Sequence, residues 1–255
     1  MFRAIELAEA MPGSPQLAAE AWNNLGVLCK HAGWFDRGAA AYARSVAFAQ
    51  RMPQTPARDM LLATILHNTG GLDHARGRFE SAEEPARRAW EMRRQHLGED
   101  HPTTLADAVA YAGVLDGLSR FAESRPIYER ALSVYERLFG PEHYEVAATL
   151  HNLAFVENAE GNHSRAIDLA RRAYSLKATL LGKTHPDTAL SGMNLASLLP
   201  AQDHAEARDL LNEALVVFER ELAPGHPHTA RCRMLLSARP RRGQIVRVFL
   251  RSPAR

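Results

Sequence analysis

The sequence predicts an all-α fold, a solenoid of stacked helix pairs. Three observations carry that expectation. First, an eight-residue stretch recurs: LGEDHPTT at 97–104, FGPEHYEV at 139–146, LGKTHPDT at 181–188 and LAPGHPHT at 222–229. Its histidines, His101, His143, His185 and His226, are 42, 42 and 41 residues apart, and Ala89, Ala131, Ala173 and Ala214 keep nearly the same step. A period near 40 residues is the mark of stacked supersecondary units. Second, small and apolar residues recur at helical spacing inside each period, as Leu150, Leu153 and Ala154 do, and again Ala166, Ala170 and Ala173. Third, glycine and proline punctuate the pattern. Gly161 and Gly182 fall where helices should end, and Pro102, Pro186 and Pro227 fall where the next should begin, in a first turn that can spare an N–H.

The elements then follow in order. Five pairs span about 17–51, 60–98, 103–140, 145–182 and 187–222. In the fourth, EVAATLHNLAFVENAEG (145–161) reads as the first helix and HSRAIDLARRAYSLKATLLG (163–182) as the second. Pro126 is expected in the first turn of a second helix. Residues 3–11 read as the second helix of an earlier pair, and 228–238 as the first helix of a sixth pair cut off at Pro240. An array that starts and stops inside a repeat is expected to be a piece of a longer protein, since neither end shows a polar cap.

Composition narrows the function. No apolar run approaches the roughly 18 residues of a membrane span, and Glu6 and Glu9 interrupt the apolar start, which makes a poor signal peptide. Cys29 and Cys232 stand far apart with no metal-binding spacing, so a cytoplasmic protein with free thiols is expected. The formal charge of +2 hides a basic end: residues 239–255 hold six arginines and no acid, leaving about −4 for the rest. The body is therefore not expected to bind nucleic acid. The tail offers an alternative, contact with nucleic acid or an acidic surface.

WNNLG at 22–26, NLA at 152–154 and 194–196, and SRPIYERAL at 124–132 resemble tetratricopeptide repeats of the 42-residue, kinesin-light-chain-like subclass, in its bacterial form. The resemblance covers roughly 17–236. It implies a right-handed superhelix with first helices on the concave side, and a non-enzymatic scaffold or adaptor that binds a protein or peptide, as in bacterial signalling. The expected organisation is a partial preceding repeat at 1–16, the array at 17–238 and a basic tail at 239–255.

The same resemblance implies that Asn24, Asn68, Asn152 and Asn194 hold the backbone of an extended peptide, since an amide both donates and accepts. The alternative is that they bond to the neighbouring repeat. Helical spacing adds Lys30, His67, His151, Phe155 and Asn158 to the peptide-binding face. Gly71, Ala110 and Gly113 are expected to leave a hollow there, walled by Phe155. The face lacks the Lys/Arg pairs with which chaperone-binding relatives clamp a terminal carboxylate.

Gly182-Lys183-Thr184 spells the end of a P-loop, but a full motif needs glycine at position 177, which is lysine, and a preceding strand. One linker histidine per period makes no metal cluster. These histidines are expected instead to order the turn and cap the next helix. No nucleophile–base–orienter set emerges. Neither enzyme activity nor a cofactor or metal is expected.

Overall fold

The computed structural model describes residues 15–222 and 225–238. The helix expected at 3–11 and the arginine tail lie outside them. Of the described residues 84% are helical, and none is in a strand. The pairs are α1 (Pro15–His31) with α2 (Phe35–Gln50), α3 (Pro56–Ala75) with α4 (Phe79–Leu97), α5 (Pro102–Gly117) with α6 (Phe121–Phe139), α7 (Tyr144–Ala159) with α8 (His163–Leu181), and α9 (Pro186–Leu198) with α10 (His204–Glu221). A 3₁₀ turn at Ala201–Asp203 joins the last pair, and α11 (Pro227–Ser237) follows.

The chain divides into two compact units, at residue 127 within α6. In the first, α1 packs on α2 and α3 on α4, α3 and α5 each pack on the preceding second helix, and first helices meet side by side, α1 on α3 and α3 on α5. Small residues set these approaches. A Cβ on Gly26 would lie 2.3 Å from a ring carbon of the buried Tyr42, and one on Gly70 would lie 3.2 Å from the Ala86 Cβ. Tyr42 packs with Ala19, Ala49, Ile65 and Leu72. Phe79, Ala82, Tyr111, Val114 and Leu115 form the next layer, where Trp90 stacks on Tyr111 at 5.7 Å.

The second unit repeats the scheme with α7 on α8, α9 on α8 and α10, and α11 on α9 and α10. Leu150 and Leu153 are fully buried. Met193, Leu195, Leu211, Ala214, Phe218 and Cys232 belong to one apolar cluster there.

The turn inside each of the first four pairs has one geometry. At Gly161 (φ 87°) the chain turns left-handed. Its N–H returns to Asn158 O at 3.1 Å, and that of Asn162 to Glu157 O at 2.8 Å, so the last carbonyls of α7 are satisfied. Gly33 and Gly77 do the same, but in the third pair Ser119 takes the left-handed position (φ 61°) with the same two bonds.

Pro126 departs from expectation. Because α6 starts at Phe121, Pro126 sits inside the helix, in its second turn. There its missing N–H leaves the Ala122 carbonyl without the usual partner four residues on. Gly182 follows the C-terminus of α8 with φ 85°. The Gly-Lys-Thr stretch thus ends a helix, where carbonyls converge, and lacks the N-terminal amide cradle that a phosphate needs.

Candidate functional site

In the first unit the polar residues of the first helices mostly meet one another. The Asn68 side-chain amide donates to Asn23 Oδ1 at 2.9 Å, while Asn24 is exposed. His67 Nδ1 lies 2.7 Å from Asp107 Oδ1, and Arg93 Nε 2.6 Å from Asp107 Oδ2. Arg93 also donates to Thr64 Oγ1 at 2.9 Å, and Thr64 to Met60 O at 3.0 Å. Asp107 is only 2% exposed. A carboxylate that deep needs its cation, since an unpaired buried charge is strongly unfavourable.

Lys30 reaches into the space expected to be open beside Gly71. The Lys30 ammonium of α1 lies 3.2 Å from where a Gly71 Cβ would stand. Gly71 has no side chain to fill the space, so the long lysine of the adjoining helix reaches across it. Burial lowers the Lys30 pKa below the usual lysine range. Phe155 belongs to the second unit. His74 turns to the start of α4, its ring edge-on to Phe79 at 5.4 Å.

In the second unit α9 carries a short polar row inside an apolar helix. Asn194 Nδ2 is 3.1 Å from His151 Nε2 and 3.3 Å from Nδ1. Asn194 is 5% and Ser191 1% exposed, and among the described residues neither Asn194 Oδ1 nor Ser191 Oγ meets a hydrogen-bond partner. Three residues apart, they share one side of the helix. Burial, then the charges of Lys177 and Arg231, hold the His151 pKa down to about 3 against the opposing pull of Asp187. His151 is therefore neutral near pH 7. Tyr144 donates its hydroxyl to Asp187 Oδ2 at 2.9 Å, and the Lys177 ammonium lies 5.9 Å over the Tyr144 ring.

Of the other expected residues, Asn152 and Phe155 are half-buried on α7. Asn158 Oδ1 lies 2.8 Å from His163 Nδ1 across the turn to α8, so its amide oxygen is engaged locally. Asn68 and Asn194 thus both bond to a neighbouring first helix, the alternative left open by the sequence. Asp107, Arg93, Lys177, Asp187 and Arg231 were missed. For Asp107 the signal was present: it is the only carboxylate in the apolar run LADAVAYAGVL.

The linker histidines cap helices. His101, His143, His185 and His226 each occupy the N-cap position of α5, α7, α9 and α11. Among the described residues no group of three or more His, Cys, Asp or Glu side chains converges on a metal position, and no helix is long and apolar enough to cross a membrane.

Comparison with known proteins agrees with this architecture. Two tetratricopeptide-repeat family models match, one over residues 62–103 and one over 104–179. A clustered mitochondria protein homolog of Aspergillus clavatus is 27% identical over 145 residues, which is 57% of this chain and 11% of the relative. The chain thus spans about a tenth of the length of the curated relatives it matches. The crystal structure of BtubC (BKLC) from P. vanneervenii superposes with a TM-score of 0.64 at 21% identity, covering 98% of this chain and 95% of that one. A putative kinesin light chain from Podosopora anserina, with nearly identical TPR-like repeats, gives 0.62 at 20% identity over 84% of this chain and 100% of that one. These likenesses are to the fold.

Proposed function

Because the chain is a tetratricopeptide-repeat protein with kinesin-light-chain-like structural neighbours, an architecture that serves protein–protein interaction, we propose that it is a non-enzymatic adaptor. It holds a peptide segment or partner domain along the polar side of its first helices. The observation that carries this reading is that each unit keeps polar side chains half-buried, rather than enclosed, on its first helices: His67 and Asn68 on α3, His151 and Asn152 on α7. A polypeptide laid against them meets both donors and acceptors in the side-chain amides. The neutral His151 imidazole adds no competing charge, and the half-buried Asn152 and Phe155 on α7 extend the contact. In the first unit, taken by itself, Asn24, Lys30, His67 and Asn68 offer polar groups to a partner. A place in bacterial signalling is part of the same proposal.

The test is affinity capture from the native host with mass spectrometry, using the wild type and an Asn152→Ala/Asn194→Ala variant. The variant loses the bond to His151 and should stay folded but melt a few degrees lower, because leaving a buried polar group unpaired costs about 1–3 kcal/mol. It should nevertheless lose the partners that the wild type enriches. Partners retained at wild-type levels by a folded variant would refute the assignment of these residues.

A further inference from the structure

The four linker caps share one chemistry. His101 Nδ1 accepts from the Thr103 N–H at 3.2 Å, His143 from Glu145 at 3.2 Å, His185 from Asp187 at 3.1 Å and His226 from His228 at 3.2 Å. A ring nitrogen accepts only through a bare lone pair. Each imidazole must therefore be neutral, with its single proton on Nε2. The next proton that such a ring takes up goes onto Nδ1. There it turns an acceptor into a donor facing a donor. It also sets a positive charge at a helix N-terminus, where unsatisfied N–H groups already carry partial positive charge.

We propose that these four histidines form a proton-operated set of joints, by which mild acid uncaps α5, α7, α9 and α11 and loosens the array at those four linkers. The array supplies its own control. The second pair begins instead at Thr55, whose hydroxyl accepts from the Arg58 N–H at 3.3 Å and does not titrate.

Charged neighbours differ from joint to joint. Glu99 and Asp100 precede His101 in its linker. Glu142 and Glu145 flank His143, whose ring stacks on Phe139 at 4.4 Å. Lys183 and Asp187 flank His185, and Arg220 of α10 donates to the adjoining Thr184 carbonyl at 3.4 Å. His226 lies 4.7 Å from the His228 ring, and Arg231 follows one turn on. A neighbouring charge of either sign cannot restore the lost acceptor. A common response therefore tests the cap itself.

The experiment uses the full chain and a His101→Asn/His143→Asn/His185→Asn/His226→Asn variant, since asparagine caps well without titrating. Long-range nitrogen–proton NMR at pH 7.5 should show all four wild-type rings in the Nε2–H form. On lowering the pH to 5.5, the amide protons of Thr103, Glu145, Asp187 and His228 should move upfield while that of Arg58 stays. Wild-type Tm should fall by about 8 °C or more, taking four caps at typical strength. The variant should recover at least half of that loss. His151 is neutral through burial in both proteins and contributes equally to what remains. An Nδ1–H ring at pH 7.5, cap amides that do not move, or a variant with the wild-type acid response would each overturn the proposal. If the fourfold variant fails to fold, His143→Asn alone, read at the Glu145 amide, decides the same point.

Discussion

Replacing Gly26 with alanine inserts one methyl group where α1 crosses Tyr42. The new Cβ would stand 2.3, 2.6 and 2.7 Å from Cε1, Cδ1 and Cζ of that ring. Carbon atoms rest at about 3.5 Å or more, so the ring must retreat by about 1.2 Å. Tyr42 is 1% exposed and closed in by Ala19, Ala49, Ile65 and Leu72, so it has nowhere to go without moving a helix. Overpacking of this kind costs about 1–3 kcal/mol, with the upper end expected for so short an approach. Against it stands the gain of about 1 kcal/mol from replacing a mid-helix glycine by alanine. The net expectation is a loss of about 2 kcal/mol, or roughly 4–8 °C in Tm for a chain of this size. Gly71→Ala is the matched control. Its Cβ would meet only the Lys30 ammonium, at 3.2 Å, the far end of a flexible chain, so the propensity gain should prevail and Tm should rise by about 1–3 °C. Thermal unfolding followed by circular dichroism reads both. Adding Tyr42→Leu to Gly26→Ala should return part of the loss. If Gly26→Ala and Gly71→Ala move Tm in the same direction, the close packing of α1 on Tyr42 is wrong.

Four further outcomes are expected. Leu153→Ala opens a cavity at a residue 1% exposed and should cost about 2–5 kcal/mol in urea unfolding; a loss under 1 kcal/mol would place Leu153 outside the core. Arg93→Leu removes the guanidinium from the Asp107 carboxylate, leaving it beside His67, and should cost about 3–5 kcal/mol, whereas a neutral result would mean that the carboxylate reaches water. Ser119→Gly relieves a non-glycine left-handed residue at φ 61° and should raise stability by about 1 kcal/mol; no change would show the turn to be unstrained. The His151 ring, with its folded pKa lowered to about 3, takes up a proton in the unfolded chain near pH 6.5. Its contribution to stability is therefore complete above about pH 6.5 and is lost progressively as the pH falls from there toward 3. By NMR the His151 ring should show no inflection between pH 8 and 5, and an inflection near 6.5 would refute its burial.

The parts of the fold legible in the sequence are those that repeat within one helix or one linker. The 42-residue step, Gly161 and Gly182 at helix ends, and Pro186 after a capping histidine each act over a few neighbouring residues, and periodicity exposes them. Pairings between helices were not legible. Nothing local says that Lys30 crosses Gly71, or that His67 meets Asp107 rather than a ligand. These contacts depend on the register of one first helix against the next. Similarly, the asparagines read alike in the sequence, yet Asn24 is exposed while Asn194 is buried against His151. Pro126 misled because its position relative to the helix start turns on where α6 begins.

The left-handed glycine that closes a pair and the histidine that opens the next give the chain nearly the same seam at 98–101, 140–143 and 182–185. Each seam is built from bonds within a few residues of itself. A block cut from seam to seam can therefore be removed, copied or exchanged without creating a junction the chain does not already contain. Lengthening or shortening such a protein is an operation on whole blocks, and the interior of a block can diverge, as Asp107, Thr149 and Ser191 have at equivalent positions, while the seams stay interchangeable.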